Sequence, residues 1–157
     1  DYARTFTLPE LKMLVDAVAS FKFITKKKSD ELIAKIITLG TPSSVPSLKR
    51  NLWPEGRIKQ ENERIYFNIE AVNQAINEKK KISFQYFQYD VRKEQKLKHN
   101  GESYMFSPYA LVWNGDYYYM VGFSEKHNGI GNFRIDRIAS TPQVLVFLYA
   151  LYTYSAA

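Results

Sequence analysis

The sequence predicts an α+β chain, with helices over about residues 1–80 followed by a small antiparallel β-barrel over about residues 81–148. Three observations carry this. Apolar residues recur at helical spacing as far as Ile76. After Lys81 the pattern becomes aromatic, β-branched and alternating. Short strand candidates then follow one another through tight turns, of which Asn114-Gly115-Asp116 is the strongest, because Asn-Gly tolerates the positive φ of a two-residue hairpin.

The first helix begins at Thr7-Leu8-Pro9-Glu10, with Thr as cap, Pro in the first turn and Glu three residues on. Leu11, Leu14, Val15 and Val18 then make one apolar face. A second helix starts at Thr25 or Ser29, carries the stripe Leu32, Ile33, Ile36, Ile37 and Leu39, and stops at Gly40. Lys26-Lys27-Lys28 at its start reads as a solvated first turn, or as a phosphate contact. Residues 41–67 hold Pro42, Pro46, Pro54 and Gly56 and read as an irregular connector with a short turn near Ser47–Leu52. A third helix is expected from an Asn68 cap, with the stripe Ile69, Val72, Ala75 and Ile76.

Strands are expected at Ile82–Tyr89, Glu102–Phe106, Tyr109–Trp113, Tyr117–Phe123, Asn132–Ile138 and Gln143–Leu148, with a charged loop at Asp90–Gly101. The division that results is a helical linker and dimerisation region over 1–68, the strand-rich domain over 69–148 and a tail over 149–157. From Val144 to Tyr154 the chain has no charge, so this stretch must be buried or paired, or else invites aggregation.

Composition narrows the function classes. The 157 residues include no Cys, which removes disulfides, thiolate metal sites and cysteine nucleophiles and fits a reducing compartment, here the cytoplasm. Only His99 and His127 are present, so a His-rich metal site is not expected. The formal net charge of +6 favours polyanionic partners, although it is dispersed and also serves solubility. The longest apolar run, Val144 to Tyr152, is too short to span a bilayer as a helix, which takes about 20 residues. The chain opens Asp1-Tyr2-Ala3-Arg4 with neither Met nor an apolar leader, as a fragment or processed product does. There is no Walker-type Gly-Lys-Ser/Thr, no Gly-rich strand-to-helix turn and no carboxylate pair on a shared core face, so no catalytic machinery and no cofactor is expected.

Two stretches remain. In Asn132-Phe133-Arg134-Ile135-Asp136-Arg137-Ile138, strand alternation puts Arg137 on the face of Phe133 and Ile135. An inward arginine is costly without an acidic partner or an anionic ligand. Asp136 or Glu102 could supply the first, or the strand could end there. In Tyr117-Tyr118-Tyr119-Met120-Val121-Gly122-Phe123, aromatics occupy both faces, so some line a groove or interface or pack at a rim. Tyr can stack on a base and hydrogen-bond a phosphate.

Taken together, Ser107-Pro108-Tyr109-Ala110-Leu111-Val112-Trp113, the run from Asn114 to Phe123, and Phe133-Arg134-Ile135-Asp136-Arg137-Ile138 resemble the WYL domain. Its name-giving Trp-Tyr-Leu reads Tyr118-Tyr119-Met120 here. Met for Leu keeps the packing, and Tyr for Trp keeps an aromatic face but shrinks it. Phe6–Lys12 and Phe23–Leu32 are similar to the central helices of WYL-containing bacterial transcription regulators, so the resemblance covers about residues 4–141.

The resemblance implies an Sm-like, SH3-type barrel that senses a ligand, nucleic acid or a nucleotide-like anion. It also implies a winged helix-turn-helix upstream of this sequence that binds promoter DNA. The implied ligand contacts are Tyr119, Arg134 and Arg137, with Ser83, Tyr86 and Ser107 around the same pocket. Arg134 and Arg137 supply charge and bidentate hydrogen bonds to phosphate, and Tyr119 a stack or a hydroxyl. The expected function is the ligand-sensing, dimerising part of such a regulator, a homodimer with no membrane role. The alternative is a free-standing single-stranded nucleic-acid binding module, and an enzyme ranks third. Arg134 and Arg137 lie three apart, so both reach one ligand only if the strand bulges or ends between them, and the one freer of carboxylate is the phosphate binder.

Overall fold

The computed structural model describes residues 6–50, 59 and 62–148. The chain divides into two compact units at Glu63/Arg64. In the first unit, helix α1 spans Leu8–Ser20, α2 spans Lys26–Ile37, and a 3-10 turn at Pro42–Ser44 leads into the short α3, Val45–Lys49. The capping box forms as the sequence expects. The Thr7 N–H donates to Glu10 Oε2 at 2.6 Å, and the Glu10 N–H reaches back to Thr7 Oγ1 at 3.5 Å. This bond to the backbone, followed by the one from the Thr7 hydroxyl, holds the Glu10 carboxyl below its usual range.

Helix α2 starts at Thr25, whose hydroxyl accepts the Lys28 N–H at 3.1 Å. Lys26 pairs with Asp30 at 2.8 Å and Lys28 with Glu31 at 3.2 Å, so two of the three lysines have carboxylate partners one turn on. Leu11, Val15 and Ala19 meet Ile33, Ile37 and Leu48 in the core of this unit. Lys59 Nζ donates to the carbonyls of Val18 and Phe21 at the end of α1 and to Ser29 Oγ, at 3.1, 2.8 and 2.7 Å.

The second unit opens with α4, Ile65–Glu78, and continues through β1 Lys80–Phe84, β2 Phe87–Tyr89, β3 Gln95–Leu97, β4 Tyr104–Asn114, β5 Tyr117–Ser124, β6 Gly129–Arg134 and β7 Gln143–Leu148. Helix α4 begins three residues before the expected cap. Asn68 sits inside the helix, fully buried, because its side chain bonds the 3-10 turn after β6 rather than the helix end. The main sheet is antiparallel in the order β6-β5-β4-β1-β7, and β2 and β3 form a separate hairpin.

The α+β class holds, but the sheet is not a closed barrel. Among the described residues β6 and β7 remain its edges. The chain comes nearest to closure at an isolated bridge between Tyr86 and Ile138, where a single pair stands in for a ladder.

Three strand expectations are corrected. Ser107-Pro108 does not break β4, because a bulge between Pro108 and Ala110 carries the strand past the proline. Ile82–Tyr89 is two strands interrupted at Gln85–Tyr86, since Gln85 O accepts from the Ala139 N–H and Tyr86 O from the Lys98 N–H. Asn132–Ile138 is not one strand, because β6 ends at Arg134 and Ile135–Arg137 makes a 3-10 turn.

The core is a ring cluster. Phe133 lies 5.1 Å from each of Phe84, Tyr86, Tyr104 and Phe106, all four edge-on. Met120, Ile82, Ile135, Ile138, Val72 and Ala75 complete it. At Gly122 the β4 and β5 backbones approach so closely that a Cβ would lie 2.0 Å from the Ser107 carbonyl oxygen. The uncharged stretch resolves in part: Val144 packs on the core, whereas Val146 and Phe147 on β7 are exposed. The rest of the expected tail, residues 149–157, lies outside the described residues.

Candidate functional site

The site grows from the end of β6. Strand alternation buries Phe133 and turns Arg134 to the opposite face, where its register partner on β5 is Tyr119. The Arg134 guanidinium stacks on the Tyr117 ring, its central carbon 3.5 Å from the centroid. It also grips Asp136 with two bonds, Nε to Oδ1 at 3.0 Å and Nη2 to Oδ2 at 2.6 Å. Burial weakens its hold on the proton, but Asp136 and Tyr117 more than offset this, so the group stays charged above the usual arginine range.

The backbone of Arg134 is fixed too: its N–H donates to the Tyr86 hydroxyl at 3.1 Å. Burial pushes the Tyr86 phenol above its usual range, with the Arg134 N–H and the Arg137 charge pulling part of the way back. From the helix side, Asn68 Nδ2 donates to the Ile135 carbonyl at 3.4 Å.

Arg137, one 3-10 turn further, differs in kind. It makes no hydrogen bond and no ion pair among the described residues, and its Nε is buried without a partner. Its guanidinium carbon lies 5.7 Å from the ring of Tyr89, an exposed residue of β2. The strand end at Arg134 is the condition under which the two arginines escape the simple opposition of faces. Their carboxylate partnerships are unequal: Asp136 occupies Arg134, and Arg137 has none.

The other sequence candidates fall as follows. Tyr119 stands beside Arg134, and Tyr86 lies beneath its backbone. Ser83 pairs with Met105 and Gln143 in the middle of the sheet, on the side away from its buried neighbours Ile82 and Phe84. Ser107 is fully buried opposite Phe123, four residues along β5 from Tyr119, which is about 13 Å of strand. Neither serine joins the arginines. Within the Tyr118-Tyr119-Met120 run, Met120 is core and Tyr118 packs on Trp113 at 4.9 Å, leaving Tyr119 as the member on the arginine face.

Sequence reasoning did not single out Tyr117 or Tyr89. Tyr117 was legible through its two-residue spacing from Tyr119, which puts both on one face. Tyr89 had no signal, since it reaches Arg137 only through the fold. Among the described residues, no three His, Asp or Glu gather as a metal site requires, and no helix is long and apolar enough to cross a membrane.

Residues 68–142 match the model of the WYL domain family. In solved structures, the chain is similar to the proteasome accessory factor B/C (PafBC) of Arthrobacter aurescens, with a TM-score of 0.49 and 15% sequence identity. That match covers 97% of this chain and 22% of the other, so the chain spans about a fifth of that protein's length. No curated protein matches the sequence.

Proposed function

We propose that this WYL domain is the ligand-sensing part of a bacterial transcription regulator that works in the cytoplasm. It binds nucleic acid or a nucleotide-like anion and is not catalytic. The observation that carries the reading is Arg137, a guanidinium without a carboxylate, with a buried unpartnered Nε, set against an exposed tyrosine ring. A phosphate satisfies both needs of that group, since it accepts hydrogen bonds and carries the missing charge. Arg134, held by Asp136 and Tyr117, shapes the site rather than filling it, and Tyr119 beside it offers a ring and a hydroxyl. In the whole protein, ligand binding biases a winged helix-turn-helix domain that contacts promoter DNA, and the protein acts as a homodimer.

The test is single-strand oligonucleotide affinity, measured together with thermal melting, for Arg137→Ala, Arg134→Ala and Tyr119→Ala. Arg137→Ala should lose roughly 1.5–3 kcal/mol of affinity with little loss of stability, as for hydrogen bonds to a charged group. Arg134→Ala should lower the melting temperature. Parent-like binding by all three folded variants rejects the reading.

A further inference from the structure

Lys98, His99, Lys126 and His127 come from two separate turns, and all four converge on the Tyr86–Tyr104 ring pair, whose centroids are 6.3 Å apart. Lys98 Nζ lies 5.7 Å from the Tyr86 centroid, and Lys126 Nζ lies 5.4 Å from that of Tyr104. The chain's two histidines flank the same Tyr104, their rings 5.6 Å away for His99 and 6.1 Å for His127. Tyr104 is core, but His99, Lys126 and His127 are exposed.

The backbone is bent to achieve this. His99, Asn100 and Gly101 are three consecutive left-handed residues, with φ of 50°, 55° and 84°, and Asn128 beside His127 has φ 47°. Non-glycine residues resist that region and hold it where the surrounding structure enforces it. The carboxylates facing this patch are Glu102, which pairs with Lys126 at 2.8 Å and feels the charge of His99, and Glu125, which pairs with Lys81 at 2.5 Å. Glu102 is 71% exposed at its side chain, and an exposed ion pair of this kind is weak enough for a phosphate to displace.

We propose that Lys98, His99, Lys126 and His127 form a second phosphate-contacting surface, contiguous through Tyr86 with the arginine site, so that the domain takes an extended single-stranded nucleic acid rather than one nucleotide. Tyr86 joins the two parts, since its hydroxyl holds the Arg134 N–H and its ring carries Lys98. The proposal rests on the arginine site being an anion site. It adds length and a second set of cations on the side of the ring core reached by the β5–β6 turn. Two imidazoles among those cations make the contact stronger where they are charged.

The experiment is fluorescence anisotropy on the whole chain with labelled oligothymidylates of about 4 and about 12 nucleotides, lengths within the range of single-strand site sizes. It uses several salt concentrations and runs from about pH 8 to about pH 6, the interval in which an imidazole gains its charge. The longer oligonucleotide should bind more tightly. Lys98→Gln and Lys126→Gln should each flatten its salt slope by about 0.7, the value of one lost single-strand phosphate contact. Lys35→Gln, at an exposed position of α2, should leave the slope alone. The tightening of the parent toward low pH should vanish in the double variant His99→Gln/His127→Gln.

If Arg137→Ala abolishes binding while the four substitutions around Tyr104 change neither slope nor pH response, the second surface is wrong and the arginine site stands. If Lys35→Gln flattens the slope equally, binding is diffuse and this proposal fails. A parent that binds neither oligonucleotide overturns both readings. Circular dichroism melts of each variant guard against misfolding as the cause.

Discussion

Asn68 donates from its carboxamide to the carbonyl of Ile135, which ties the second turn of α4 to the 3-10 turn that carries Arg137. The same asparagine keeps a buried Oδ1 with no partner, so its presence in the helix interior is explained by that one bond and not by full satisfaction. Replacing it with Ala should lower stability by about 1–3 kcal/mol, the cost of stranding a buried carbonyl. Chemical denaturation reads this directly, and an unchanged midpoint means that the bond contributes nothing. Asn68→Asp should be worse at neutral pH than in mild acid, because a buried carboxylate is tolerated only when protonated.

Arg134 and Asp136 form a bidentate pair whose side chains are only 21% and 6% exposed. Breaking it from either side leaves a poorly solvated charge. Arg134→Met and Asp136→Asn should each destabilise, and the double variant should be less unstable than the two losses together imply. A coupling of about 1–3 kcal/mol is the expected size for contacting charged residues. Additive losses in the thermodynamic cycle would remove the structural role assigned to Arg134.

Alkaline pH should expose the buried phenols. Burial raises the titration of Tyr86, and also that of Tyr104, above the unfolded value of about 10. A group whose folded value is raised favours folding fully below the unfolded value and loses that contribution as pH climbs through the folded one. Stability should therefore be flat with respect to these phenols up to about pH 10 and fall above it. Tyr86→Phe removes one titrating phenol and should blunt the fall, while costing about 1 kcal/mol at neutral pH for the Arg134 N–H left without its acceptor. An alkaline limb identical to the parent's would count against the buried placement of Tyr86.

Two glycines on neighbouring strands should behave oppositely. Gly122→Ala drives a Cβ to 2.0 Å from the Ser107 carbonyl oxygen, a backbone atom that has nowhere to go, so the variant should be severely destabilised or fail to fold. Gly131→Ala meets nothing within 4 Å and should be tolerated. Comparable melting temperatures for the two would contradict the close approach of β4 and β5.

Much of this was legible because local rules and tertiary demands agree. The Thr7–Glu10 box, the Thr25 cap, the hairpin turn after Asn114 at Gly115-Asp116 and the last strand at Gln143–Leu148 all follow from residues near one another in sequence. What escaped depends on contacts distant in sequence. Asn68 looks like a cap and is instead a buried donor to a carbonyl 67 residues away. Phe133 to Ile138 alternates like a strand, but Tyr86 takes the Arg134 N–H and Asp136 turns back to the Arg134 guanidinium, so the chain curls into a 3-10 turn. That the two arginines would differ in carboxylate contact was an expectation of the sequence, but which of them Asp136 takes was not legible, because nothing local tells which of two guanidiniums the intervening carboxylate will choose.

The ring cluster around Phe133 has a consequence for how the chain proofreads itself during folding. Among the described residues strand β6 is paired on one side only, and it carries Gly129 and Gly131, so its register is weakly fixed by the strand itself. A slip of one residue would push Arg134 inward and Phe133 into water. The slipped strand could not place a ring 5.1 Å from each of four others, so the mistake forfeits the ring contacts at the centre of the core. The outward setting of Arg134 against Tyr119 is therefore guaranteed by its apolar neighbour, and the charged surface inherits its accuracy from the oil beneath it.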